Sequence, residues 1–318
     1  MPSLSTFSIV GFDPETGDVG VAVQSKFPNV RPVVPWAEAG VGAIATQSFA
    51  NVSYGSKGLT LLRCGASAEE TLKILLANDD QRAKRQVGVI DAQGRAASWT
   101  GAGCFEWAGG RVGKAQDDHV PRGECDTLIT GAGFAAQGNI LVSAATVEAL
   151  AETYLHTAGS LADKLVAALV AGGQAGGDRR GEQSAALVVK RKNGNYDGTA
   201  DDYIDIAIYD HPRPLQELER LYQLHQLFFF RSREEDLWPI DAEICRELQT
   251  IMSETAYKGW AFYTGPVNGV FDTTTHKALQ DFMGWCNYDV RLREDDRIDR
   301  VVLADIRHNY AQWKADQS

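Results

Sequence analysis

No basic excess marks this chain of 318 residues: 31 Lys and Arg stand against 42 Asp and Glu, a formal charge of −11. Phosphate backbones and anionic lipid surfaces repel such a balance, so neither nucleic acid nor a membrane surface is an expected partner. No run approaches the ~18 apolar residues needed to span a bilayer. The first residues lack a basic segment followed by an apolar one, so no secretory signal is expected. Cysteine is scarce and odd in number; Cys64, Cys104, Cys125, Cys245 and Cys286 form no CxxC pair. That pattern suits reduced thiols in a cytoplasmic protein better than a disulfide framework. Six histidines, at positions 119, 156, 211, 225, 276 and 308, show no metal-ligand spacing, and neither a metal nor a cofactor is expected. The run Gly131-Ala132-Gly133-Phe134-Ala135-Ala136 spells a dinucleotide fingerprint, but Gly138-Asn139 would break the helix it requires. Residues 109–114 lack the Gly-Lys-Ser/Thr ending of a phosphate loop.

What remains is an ordinary globular composition, 44% hydrophobic and 23% charged, long enough for two domains. Residues 3–12 and 18–26 read as a hairpin around the turn residues Pro14 and Gly17. A loop centred on Glu15 would set Thr6 opposite Gln24. Residues 41–48 read as an inner strand. Helices are expected over 58–64 and from Ser67, where Glu70 completes a capping box. Residues 86–91 and 95–100 read as a second hairpin. Ser143 and Ser160 are expected N-caps, with Gly172-Gly173 ending the second of their helices. Strands at 184–192 and 203–209 follow. This order lacks strict β-α-β alternation, so two antiparallel sheets with a helix pair on each outer face are expected rather than a parallel sheet. Three parts are expected: a domain at 1–212, a linker helix at 213–235, and a small helical domain at 236–318 with helices at 241–255, 273–284 and 297–313.

Thr6 is the leading chemical candidate. A hydroxyl residue at the head of the first strand can attack an amide carbonyl, provided its own α-amine is free to take the hydroxyl proton. Residues 1–5 stand ahead of it, so that amine is blocked unless they are removed. Ser25 and Lys26 close the partner strand, where an oxyanion donor or a cation lowering the amine pKa belongs. Gln47, Ser48 and Asn51 at the end of the inner strand can fix a substrate carboxylate or amide, or satisfy loop backbone. Gln137 and Asn139 flank Gly138 in the same two-way sense. Asp178 and Arg180 follow a glycine-rich loop, and an Arg there can grip a carboxylate from two sides; the alternative is a solvated loop with a surface ion pair. The expected ligand is a small amide or peptide-like compound. The alternative is a non-catalytic binding or scaffold protein.

The first two-thirds of the chain resembles the family named only as domain of unknown function 1028. The resemblance is carried by Thr6-Phe7-Ser8-Ile9-Val10, Ala45-Thr46-Gln47 with Ala50-Asn51, and Gln86-Val87-Gly88-Val89. It continues in Trp107-Ala108-Gly109, Gln137-Gly138-Asn139-Ile140-Leu141, Gly177-Asp178-Arg179-Arg180-Gly181 and Asp210-His211-Pro212. It implies a four-layer αββα sandwich of the N-terminal-nucleophile (Ntn) hydrolase type, an α+β class, without implying a reaction. The last part is similar to a peptidoglycan-binding-like helical module. Gly265-Pro266-Val267-Asn268-Gly269-Val270-Phe271-Asp272 leads there into Ala278-Leu279 and Phe282. Three uses are open for it: binding cell-wall fragments, serving as a spacer or homo-oligomer contact, or acting after export by an unseen route. The second is the expectation, with Trp260, Phe262, Tyr263, Phe271, Phe282 and Trp285 forming a small core.

Overall fold

The computed structural model describes residues 6–113 and 126–317. Met1 to Ser5, the segment ahead of Thr6, lie outside the described residues, as do His119 and Cys125. The chain divides into two compact units, residues 1–221 and 222–318.

The first unit is built from two antiparallel sheets. β1 (Thr6–Phe12), β2 (Val19–Ser25), β7 (Gly109–Val112), β9 (Phe134–Asn139), β10 (Ser184–Lys190) and β11 (Asp202–Ile208) form one, in the order β11-β10-β2-β1-β9-β7. β3 (Pro35–Glu38), β4 (Gly42–Ser48), β5 (Arg85–Asp91), β6 (Arg95–Thr100) and β8 (Thr127–Ala132) form the other, in the order β3-β4-β5-β6-β8. Side chains alternate along a strand. Val10, Val19, Val21 and Val23 of the first sheet therefore share one buried cluster with Ala43, Ala45, Ile90 and Ala96 of the second. On its other face the second sheet offers Ile44, Val87, Val89 and Trp99 to Tyr54, Leu62, Leu72 and Leu76 of helices α1 (Ser53–Arg63) and α2 (Ala68–Ala77). Helices α3 (Ala145–His156) and α4 (Leu161–Gln174) pack on β1, β2 and β9. Helix α5 (Pro214–Phe229) follows the last strand.

The expected capping box of Ser67 with Glu70 forms, and Ser160, expected as an N-cap, forms a further one with Asp163. Several expectations are corrected. Thr6 pairs with Ser25 rather than Gln24. The turn is closed by Asp13, whose N–H bonds Asp18 O and whose carbonyl accepts from Gly17 N–H, so its centre falls half a residue later. Cross-strand partners share a face, so Ser25 joins Thr6 between the sheets while Gln24 pairs with Phe7 on the helix side. Ser143 lies one position before the cap of α3, Ala144, and accepts the N–H of Ala145. Gly172 and Gly173 do not end α4; a Cβ on Gly172 would stand 3.2 Å from the Phe7 ring, so the glycine serves close packing. Helix α1 starts at Ser53, earlier than expected. The inner strand β9 is hidden in the sequence by its Ala-Ala-Gln-Gly-Asn run. The Gly131–Ala136 run is accordingly a strand–turn–strand with Gly133 at φ +93°, with no nucleotide-binding helix.

The second unit holds a short ladder of β12 (Leu237–Pro239) with β13 (Arg297–Asp299). Its helices are α6 (Ala242–Ser253), the single turn α7 (Thr255–Lys258), α8 (Thr273–Trp285) and α9 (Arg300–Asp316). Leu248, Met252, Tyr263, Phe282 and Leu303 centre its core, with Phe262 and Phe271 packed against it. Buried Gln249 anchors the Asn-Gly turn by accepting the N–H groups of Asn268 at 3.0 Å and Gly269 at 2.9 Å. Trp260 and Trp285 depart from the expected core: they are 60% and 59% exposed and stack on each other at 6.4 Å. No helix among the described residues is long and apolar enough to cross a membrane.

Candidate functional site

Antiparallel pairing brings one end of many strands together. β1, β5 and β10 begin there, and β2, β4, β6 and β9 end there. The residues at those ends are polar, and those on the inner faces meet between the sheets. Thr6 Oγ1 lies 3.0 Å from Ser25 Oγ. One step along β1, the Ser8 hydroxyl donates to Gln47 Oε1 at 2.7 Å and accepts from Gln137 Nε2 at 2.7 Å. Gln47 Nε2 donates to Thr6 O at 3.2 Å and to Gln86 Oε1 at 2.9 Å. Gln86 Oε1 also accepts from Asn139 Nδ2 at 2.9 Å. Gln86 Nε2 reaches Thr100 Oγ1 and the carbonyls of Gly109 and Gly138. The Ser98 hydroxyl closes the seam on Gln137 Oε1 at 3.2 Å.

Thr6, Ser8, Gln47, Gln86, Gln137 and Asn139 are all fully buried. Burying so many amides and hydroxyls is costly unless each finds a partner, and the seam supplies those partners across both sheets. Packing around it is tight: a Cβ on Gly88 would lie 2.3 Å from Gln137 Oε1.

The predicted residues divide into three groups. Thr6, Ser25, Gln47, Gln137 and Asn139 come together in or beside the seam. Lys26, Asp178 and Arg180 form a second group that fastens a loop. Asp178 Oδ2 accepts the Lys26 N–H at 3.0 Å, its Oδ1 accepts the Arg180 N–H at 2.8 Å, and Arg180 Nη2 donates to Lys26 O at 3.3 Å. The Lys26 ammonium donates to Glu182 O at 3.0 Å. Ser48 and Asn51 belong to neither. Ser48 holds a left-handed backbone (φ +66°), and its buried hydroxyl has no hydrogen-bond partner among the described residues. Asn51 joins a separate cluster, donating to Asp79 Oδ2 at 3.2 Å.

That cluster pairs Asp79 with Arg85 at 2.8 Å and takes the Tyr54 hydroxyl at 2.9 Å, while Arg85 also donates to Phe49 O. Burial alone would raise the Asp79 carboxyl. Arg85, the Gln81 N–H, Tyr54 and Asn51 outweigh it and hold the group well below the usual carboxylate range. Burial, then the hydrogen bond and charge of Asp79, push the Tyr54 phenol far up.

Ser8, Gln86, Ser98 and the Asp79–Arg85 pair were not singled out from sequence. A signal existed for Ser8, which lies two residues from Thr6 on the same strand face, and for Gln86, a polar residue just ahead of the apolar run Val87-Gly88-Val89-Ile90.

The family model described as "Family of unknown function (DUF1028)" matches residues 6–117 and 121–218. The chain belongs to this family. A crystal structure of a DUF1028 protein from Silicibacter pomeroyi is similar to it at 28% identity and a TM-score of 0.59, covering 70% of this chain and 86% of that one. The seam and the loop fastened by Asp178 both lie within the DUF1028 region. A second model, described as "Putative peptidoglycan binding domain", matches residues 229–305. No curated protein matches the chain.

Proposed function

We propose that the DUF1028 region is an αββα sandwich of the Ntn-hydrolase type and that it cleaves a small amide or peptide-like substrate through Thr6 once the residues ahead of it are removed. One observation carries the reading. Thr6 opens β1 on the inner face, with Ser25 Oγ 3.0 Å from its hydroxyl and the amides of Gln47 and Asn139 at the same strand ends. In this reading the freed α-amine takes the hydroxyl proton as Oγ1 adds to the substrate carbonyl. The proton passes to the leaving nitrogen as the C–N bond breaks, and water then hydrolyses the ester. In this reading Ser25 and Asn139 serve as the donors to the oxyanion. With Ser5 attached, the Thr6 nitrogen is an amide and has no basic lone pair. Lys26, Asp178 and Arg180 hold the adjoining loop in this account, and Ser48, Asn51 and Gln137 support the strand ends.

A second reading, a non-catalytic binding or scaffold protein, is favoured by the complete burial of Thr6 and by the pairing of the seam amides with one another. Intact-mass analysis of protein purified from its native host separates the two. The hydrolase reading expects a species beginning at Thr6; finding only longer chains would sink it. For the C-terminal unit the family match supports cell-wall fragments as a ligand. Retention of the full chain on immobilised muropeptides is the expected result, and no retention would leave the spacer or oligomer-contact role.

A further inference from the structure

A groove of about 430 Å³ opens in the C-terminal unit, within the size range of small-molecule sites. Part of its wall is aromatic: Tyr257, Trp285 and Trp313, with Tyr257 and Trp313 ring centroids 5.3 Å apart. The polar part comes largely from α9, through Asp305, Asn309 and Asp316. Asp305 Oδ2 accepts from the Tyr288 hydroxyl and from Asn309 Nδ2. Its Oδ1 takes no hydrogen bond among the described residues, so one carboxylate oxygen is left for solvent or a ligand.

The chain's own lysines show what this wall attracts. Lys258 Nζ lies 4.6 Å from the Tyr257 ring centre, and Lys314 Nζ lies 5.2 Å from that of Trp313. These are cation–π distances. No such lysine or arginine covers Trp285 among the described residues, and that ring is 59% exposed. Among the described residues, Lys258 is the one cation lining the groove, against two carboxylates, Asp305 and Asp316. Burial raises the Tyr257 phenol to about 12, with the negative charges of Cys286 and Asp305 adding to it. Burial also raises the Cys286 thiol; Lys258 opposes that shift and Asp305 adds to it. Tyr257, Cys286 and Tyr288 thus all sense the Asp305 charge.

We propose that this groove binds a protonated primary amine on an apolar stem, such as a lysine side chain of a peptide, with the ammonium at Asp305 and the stem along Trp285. The assignment does not rest on the Thr6 chemistry. Nor is it a restatement of the family match: Asp305 is the last residue matched, and Ile306, Asn309, Gln312, Trp313 and Asp316 of the α9 wall lie beyond it.

The test uses the full chain and follows the indole N–H signals of Trp285 and Trp313 by NMR. Nα-acetyl-lysine methylamide should shift both signals saturably, and its Nε-acetylated analogue, which lacks the charge, should not. Asp305→Asn keeps the shape and should weaken binding about tenfold, the cost of one charge-assisted contact. Trp285→Ala removes the proposed stem platform together with its stacking on Trp260 and should weaken it similarly, read from the Trp313 signal. An equal response to the acetylated analogue, a response to N-acetylglucosamine in place of the amine, or no saturable shift would overturn the assignment.

Discussion

At the scale of single residues, Gln86 organises the buried seam. It accepts from Gln47 and Asn139 and donates to Thr100 and two carbonyls, so its removal strands several buried polar groups at once. Leaving a buried donor or acceptor unpaired costs about 1–3 kcal/mol for each group. Gln86→Ala should therefore destabilise the fold by about 3 kcal/mol or more, read as a lower urea midpoint at unchanged slope. Gly88→Ala reaches the same network from the other side. The added methyl would overlap the Gln137 amide, which can yield only by loosening its hydrogen bonds to Ser8 and Ser98, and should cost about 1–3 kcal/mol. If both variants unfold like the wild type, the seam does not hold the sheets together.

At the scale of elements, the Asp79–Arg85 pair joins the segment after α2 to the start of β5. Its carboxyl is depressed in the folded state, so the stabilisation it gives is present above the unfolded value of about 3.9 and is lost as pH falls through the lower folded value. Asp79→Asn should be markedly less stable than the wild type at neutral pH, because Arg85 is left buried and unpaired. The gap should shrink as pH drops below about 4; denaturation across pH 2–7 reads it directly. Much at this scale was legible in the sequence. The capping box at Ser67, the N-cap at Ser160, the paired strands around Gly94, and the element order all follow from local turn and cap chemistry. β9 was not legible, because its residues lack the β-branched signature and are strand only through pairing with β1 and β7. The one-residue error in the first hairpin arose from Asp13, whose turn bonds shift the loop centre. It exchanged Gln24 for Ser25 as the neighbour of Thr6, since a single slip changes the face of a side chain.

At the scale of the whole molecule, two units with separate cores carry separate chemistry. The first gathers polar strand ends around Thr6. The second presents aromatic surface beside carboxylates. Five of the ten predicted site residues meet at the seam, because strand ends on one side of paired antiparallel sheets are neighbours whatever their distance in sequence. Lys26, Asp178 and Arg180 fell together for a different reason, the fastening of a loop, which no residue pattern announces. Asn51 was drawn away by Asp79, a partner visible only after folding. The central claim is that Thr6 is a nucleophile waiting for its own amine. The direct measurement is to prepare the chain beginning at Thr6, treat it with an acylating β-lactone, and locate the adduct by peptide mass spectrometry. The account predicts an ester on the Thr6 hydroxyl in that form, none in the chain beginning at Met1, and slower formation of the ester in a Ser25→Ala variant of the freed chain. An untouched Thr6 in the freed chain, with the fold intact, would contradict it.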